Sequence, residues 1–165
     1  MKKSLIRPAV AADCDAIARI YNYYIRETII TFEEEEISAQ DIEVRLAEIA
    51  RASLPWLIVE SAGAIAGYAY ASKWKTRHSY RYSAESTIYL DPDQTGRGIG
   101  ICLYGALLNA LRAKSIHVVI GGIALPNPAS VALHERLGFT KVAHFKEVGF
   151  KFNKWIDVGY WQTPS

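Results

Sequence analysis

Cysteine, net charge and long apolar runs are all scarce in this chain, and each scarcity removes a class of protein. Two cysteines, Cys14 and Cys102, are too few for a disulfide scaffold. Both sit in helix-like apolar stretches, where reduced thiols of a core are expected. They and the four histidines are scattered without ligand spacing, so no metal site is expected. The formal net charge of +2 marks neither nucleic acid nor an anionic membrane as a partner. No apolar stretch approaches the roughly 20 residues that span a bilayer. Met1 to Pro8 carries two lysines but no long apolar segment behind them, unlike a secretory signal. The cytoplasm is the expected compartment. No repeat, low-complexity tract or linker divides the sequence.

What is present has the profile of an ordinary globular protein. The 165 residues are 50% hydrophobic and 22% charged, enough for one domain over 1–165 with its own core. Ser4 to Arg7 reads as a short strand. Asp13 is placed to cap a helix with Ile17, Ile20, Tyr21 and Tyr24 on one face. The acidic run Glu33 to Glu36 reads as a solvated loop. Ser38 and Asp41 form a capping pair before Ile42, Leu46 and Ile49, a second helical stripe. Leu57 to Glu60 and Ile65 to Ser72 are strand-like around Ala62-Gly63, a hairpin turn. Ala84 to Leu90 is a strand stopped by Asp91-Pro92.

Later elements are equally punctuated. Leu103, Leu107, Leu108 and Leu111 make a buried helical stripe, and Val118 to Ile123 a buried strand. Asn127 and Pro128 suit the N-cap and first position of a helix carrying Val131 and Leu137, which ends at Gly138. Strands over about Thr140 to Glu147 and Asp157 to Gln162 follow. The order implies an α/β domain, a mixed sheet with helices on both faces.

The most specific segment is Gln94-Thr95-Gly96-Arg97-Gly98-Ile99-Gly100, between the strand ending at Leu90 and the helix beginning near Ile101. Glycines allow close backbone approach, and a helix start offers unpaired amides and positive dipole potential. Such a loop can cradle a pyrophosphate. It also serves as a plain tight turn, so other residues must decide.

They do so through a resemblance. The element order and the loop resemble the GCN5-related N-acetyltransferase superfamily, whose loop usually reads Gln/Arg-x-x-Gly-x-Gly/Ala. Gly98 and Gly100 match its glycines, and Thr95 stands at the usual Gln/Arg position. Trp74-Lys75-Thr76-Arg77, Ala84-Glu85-Ser86-Thr87, Leu125-Pro126-Asn127-Pro128 and Leu133-His134-Glu135-Arg136-Leu137-Gly138-Phe139 are similar to the phosphinothricin and methionine sulfoximine N-acetyltransferases. So are Tyr24 to Thr28, Pro55 to Glu60 and Trp155 to Gln162. The resemblance implies a single-domain fold with a twisted, mostly antiparallel sheet.

It also implies roles. Glu85 and His134 are the catalytic candidates: Glu85 as base for the acceptor ammonium, His134 as a group exchanging a proton near the cofactor sulfur. Acetyl-CoA is the implied co-substrate. Its arm would pair with Ile88, Tyr89 and Leu90, its pyrophosphate would meet Gly96, Arg97, Gly98, Ile99, Gly100 and Ile101, and Asn127 would assist. Phe32, Lys75, Thr76, Arg77, Glu85, Ser86 and Thr87 are the acceptor-site candidates. The implied acceptor is a small amino acid or analogue such as phosphinothricin, methionine sulfoximine or methionine sulfone. Alternatives keep the fold with a polyamine, aminoglycoside or protein N-terminus as acceptor, or a CoA-binding module without turnover. A homodimer is implied, with Trp155, Tyr160 and Trp161 as an aromatic surface.

Overall fold

The computed structural model describes residues 4–164. Seven strands form one sheet in the order β1-β2-β3-β4-β5-β7-β6. They are β1 (Leu5–Pro8), β2 (Trp56–Ser61), β3 (Ala64–Lys73), β4 (Ser83–Leu90), β5 (Val118–Leu125), β6 (Thr140–Lys151) and β7 (Lys154–Pro164). All neighbours are antiparallel except β4 and β5.

Helices cover both faces, each built as its pattern dictates. Helix α1 (Cys14–Glu27) buries Ile17, Ile20, Tyr21 and Tyr24. Helix α2 (Ala39–Arg51) starts in a capping box: Asp41 N donates to Ser38 Oγ at 3.1 Å, and Ser38 N donates to the Asp41 carboxylate at 2.7 Å. Both pack with Trp56, Ile58 and Tyr68 in one core. Helix α3 (Ile99–Ala113) packs on the other face through Leu103, Leu107 and Leu111. Full burial of each of these leucines contributes about 2 kcal/mol. Helix α4 (Pro128–Arg136) opens with Ser130 N donating to Asn127 Oδ1 at 3.2 Å and is closed by Gly138 at φ +87°.

Four local expectations are corrected. The Asp13 carboxylate does not cap α1; it accepts from Val10 N and pairs with Arg7, both at 2.8 Å. The acidic run is a loop with Glu34, Glu35 and Glu36 exposed, but it is not wholly solvated: Glu33 is half-buried and clasped by Arg45 and Tyr21, and Glu36 pairs with Arg26. Cys102 is exposed, on the side of α3 opposite its leucine stripe. Trp161 is buried at 3% exposure, its ring lying over Gly159, where a Cβ would sit 2.5 Å from it.

One irregularity shapes the function. Strand β5 pairs with β7 along its whole length, but with β4 only at Ser83, Ala84 and Glu85. Past Glu85 the parallel strands part. The backbone of residues 86–90, hydrogen-bonded to β3 on one side, has no strand partner on the other.

Candidate active site

The opening between β4 and β5 divides into connected hollows. The first, about 340 Å³, runs from Ile88, Tyr89 and Leu90 to Gly96, Gly98 and Gly100. Gly98 is the N-cap of α3 at φ +77°, in the left-handed region, and Gly96 stands at φ +73°. With no side chain at the cap, the first amides of α3 find no side-chain acceptor and face outward as donors. A Cβ on either glycine would meet nothing within 4 Å, so the space above the loop is open. This donor set fits a pyrophosphate.

The other walls come from α4 and α1. Ala129, Leu133 and Arg136 lie along one face of α4 at helical spacing and line the same hollow. The Arg136 guanidinium makes no ion pair among the described residues, which leaves it available to an anionic ligand. Tyr24 closes the hollow and donates its hydroxyl to the Leu90 carbonyl at 2.5 Å. Asn127 lines it as well, its Oδ1 occupied at the helix cap. Arg97 is placed differently: its side chain bonds Gln94 Oε1 at 3.1 Å, so only its backbone belongs to the loop. Ile99 turns into the core, and Thr95 ties its hydroxyl to the Pro92 carbonyl at 3.1 Å.

The second hollow, about 230 Å³, begins where the strands part and contains Glu85, Ser86, Thr87, Phe32, Asn127 and His134. A third, about 370 Å³, shares Glu85 and Phe32 and adds Gly122, Tyr160 and Phe145. Glu85 is half-buried, and its carboxylate has no hydrogen-bond partner among the described residues. Gly122 stands opposite it, where a Cβ would touch Oε1 at an ordinary 3.6 Å but crowd the Tyr160 ring at 3.0 Å. Burial pushes the Glu85 carboxyl above the usual carboxylate range, and the positive charge of Lys75 pulls it part of the way back.

His134 sits deeper, at 4% exposure. Its Nδ1 lies 2.7 Å from the Ser130 carbonyl, which can only accept, so Nδ1 carries the proton. Nε2 then accepts from the Tyr104 hydroxyl at 3.0 Å, and that hydroxyl lies 2.5 Å from Ser86 Oγ. Gly121 makes space for the ring: a Cβ there would come within 2.5 Å of Nε2. Burial holds the imidazole below its ordinary pKa, although the Ser130 carbonyl opposes this. At neutral pH the ring is therefore uncharged. Sequence alone did not single out Tyr104, Ser130, Gly122 or Arg136; only the spacing of Ala129, Leu133 and Arg136 carried a readable signal.

The acceptor-site candidates separate. Phe32, Ser86 and Thr87 gather around Glu85, and Lys75 is close enough for its charge to act there. Thr76 and Arg77 line another cavity with Lys75, at the foot of β3 and β4 beside Lys73, Arg81 and Lys114. Within one chain, Thr76 and Arg77 do not join the Glu85 hollow. Among the described residues no group of three or more His, Cys, Asp or Glu side chains is placed to hold a metal ion. No helix there is long and apolar enough to cross a membrane.

Comparison with known proteins places this geometry. Residues 6–159 match the model of the acetyltransferase (GNAT) domain. A phosphinothricin N-acetyltransferase of Streptomyces viridochromogenes is 40% identical over 95% of this chain and 85% of its own length. An L-methionine sulfoximine/L-methionine sulfone acetyltransferase of Salmonella typhimurium is 36% identical over 95% of this chain and 92% of its own. The crystal structure of a phosphinothricin acetyltransferase from Sinorhizobium meliloti in complex with AcCoA superposes with a TM-score of 0.94 at 35% identity, covering 98% of this chain and 88% of that one. A parted β4–β5 pair, a glycine-capped helix at its mouth and identity across nearly the whole length agree: the chain belongs to the GNAT family of acetyltransferases.

Proposed function

We propose that this enzyme moves the acetyl group of acetyl-CoA onto the amino group of a small amino acid or analogue, such as phosphinothricin, methionine sulfoximine or methionine sulfone. The observation that carries this reading is Glu85: a half-buried carboxylate, free of protein hydrogen bonds, where the parted strands meet. Bound in the first hollow, acetyl-CoA supplies an acyl group activated as a thioester. The α3 amides and Arg136 hold its phosphates, and the unpaired edge of residues 88–90 adds its arm like a strand.

An amine near neutral pH is an ammonium without a lone pair. Glu85 accepts one of its protons, and the freed lone pair attacks the thioester carbonyl carbon. As the C–N bond forms the C–S bond breaks, so that coenzyme A leaves and its sulfur takes up a proton while the nitrogen loses its second one. A carboxylate with a raised pKa is a stronger base than an exposed one, which suits this step. His134 works at one remove. Both its ring nitrogens are engaged, so a proton passes between this imidazole and the site by way of the Tyr104 and Ser86 hydroxyls. Phe32 and Tyr160 wall the acceptor, and Lys75 supplies a positive charge for its acidic group.

The direct test incubates the pure protein with acetyl-CoA and an acceptor panel while free thiol is measured. Release with phosphinothricin or methionine sulfoximine is the expected result. Release only with polyamines, aminoglycosides or peptide N-termini would overturn the acceptor class. None with any amine would leave a CoA-binding module.

A homodimer is part of the same proposal, on a surface that keeps only Trp155 of the three rings read in the sequence. Trp161 is core and Tyr160 faces Glu85, but β6 is a free edge of the sheet and exposes Phe145 and Phe150, with Phe152 in the following turn and Trp155 beside them 65% exposed. An open edge carrying aromatic rings is normally covered. Light scattering should give twice the 18.4 kDa of one chain, and a mass of one chain at micromolar concentration would refute it. The cytoplasm, where acetyl-CoA is available and both cysteines stay reduced, is the inferred compartment.

A further inference from the structure

The largest buried cation of the described residues is Lys151, at the end of β6 and only 1% exposed. No carboxylate among the described residues forms an ion pair with it, and the charge of Glu34 acts on it only from beyond ion-pair distance. Its Nζ donates to the Thr31 carbonyl at 2.8 Å and lies 5.0 Å from the centre of the Phe152 ring. Enclosing an ammonium with so few partners is unfavourable compared with a methionine of similar shape. Stability alone therefore gives no reason for an amine here.

The position of Thr31 gives one. It sits in the irregular segment between α1 and α2, and both it and Phe32 line the hollow that contains Glu85. Strand β6 grips this segment twice. Lys151 takes the carbonyl of residue 31, and Gly149 receives the ring of residue 32 so closely that a Cβ would lie 2.3 Å from Phe32 Cζ. A third tie runs from the Thr31 hydroxyl to Tyr21, 2.7 Å away. The segment has no strand or helix hydrogen bonds of its own. Glu33 is anchored on the far side by Arg45, Tyr21 and the Thr31 hydroxyl, and on the β6 side the Lys151 and Gly149 contacts are the ones that bear on the Phe32 ring.

We propose that Lys151 is a positioning residue for acceptor selection: by holding the Thr31 carbonyl it fixes Phe32 as the wall that limits the acceptor side chain. This rests on the acceptor site being the hollow around Glu85. The group acts through Phe32 and does not touch the reacting atoms.

Lys151→Met keeps length and apolar bulk and removes the donor. Its acetyl-CoA affinity should match wild type. The KM for a compact acceptor should rise about fivefold with kcat little changed, the scale of one lost hydrogen bond, and discrimination against bulkier side chains should relax. Gly149→Ala pushes Phe32 from the opposite contact while leaving the ammonium, and should relax the same discrimination. Unchanged acceptor discrimination in both variants, or a parallel loss of kcat, acetyl-CoA affinity and thermal stability in Lys151→Met, would overturn the proposal. Amide exchange over residues 30–34 reads the pin without turnover. Exchange as slow in Lys151→Met as in wild type overturns it whatever the acceptor. Faster exchange beside a wild type inert toward amino acids would refute the acceptor reading while supporting the pin.

Discussion

Replacing Glu85 with glutamine should lower turnover of an amino-acid acceptor by about 10²–10⁴-fold, the range for loss of a general base. The amide keeps the size of the carboxylate and sits beyond the glycine loop, so acetyl-CoA affinity should stay close to wild type. The pH dependence carries the sharper signature. The base-competent form is the carboxylate, and burial raises its pKa. The rate of the wild type should therefore fall on the acid side at a pH above that of an ordinary glutamate. Lys75 opposes that shift, so Lys75→Met should move the acid limb higher still. The Gln variant lacks this limb and should recover in part at alkaline pH, where more acceptor is already free amine.

Linkage gives the stability of the same variant. A carboxyl whose folded pKa lies above its unfolded value contributes stability that is lost as pH rises through the folded value. Above its folded pKa wild type holds an unfavourably buried charge, and Glu85→Gln does not. The variant should melt no lower than wild type at pH 7. Near-normal turnover in a folded Glu85→Gln protein would remove Glu85 from the base role.

Periodic and punctuated elements of this fold were legible in the sequence. The leucine stripe of α3, the Ser38–Asp41 box and the Asn127-Pro128 start each rest on local chemistry that a short window contains. The parting of β4 from β5 does not, because it is an absence of pairing between strands more than thirty residues apart. Glu85 could be named from its motif, but its burial without a hydrogen-bond partner among the described residues, which raises its pKa, depends on how the sheet closes around it. Other failures have equally local reasons. Trp161 is swallowed because Gly159 has no Cβ. The β6–β7 hairpin runs farther than expected because Phe152 and Asn153 both adopt positive φ, a two-residue turn without the glycine that usually announces it. Lys151, next to that turn, reads as surface in any alternating pattern and is core.

The second large effect concerns the loop that the sequence marked most clearly. Gly98 takes φ +77° as the cap of α3, a conformation in which a β-branched side chain is strained. The protein itself leaves space for a Cβ, so valine would not clash with neighbours in the free enzyme. Instead it biases the cap toward negative φ, turning the first α3 amides away, and fills the volume a pyrophosphate needs. Losing one charge-assisted hydrogen bond costs about 1.5–3 kcal/mol, so Gly98→Val should weaken acetyl-CoA binding by about 10- to 100-fold. Gly98→Asn, which tolerates the left-handed region, should fall between the two. Most of the loss should appear in acetyl-CoA affinity and little in kcat at saturation, because Glu85 lies at the other end of β4. Calorimetry of folded Gly98→Val protein with unchanged acetyl-CoA affinity would move the phosphate site away from α3. Arg136, which has no ion pair among the described residues, would then be the next group to replace.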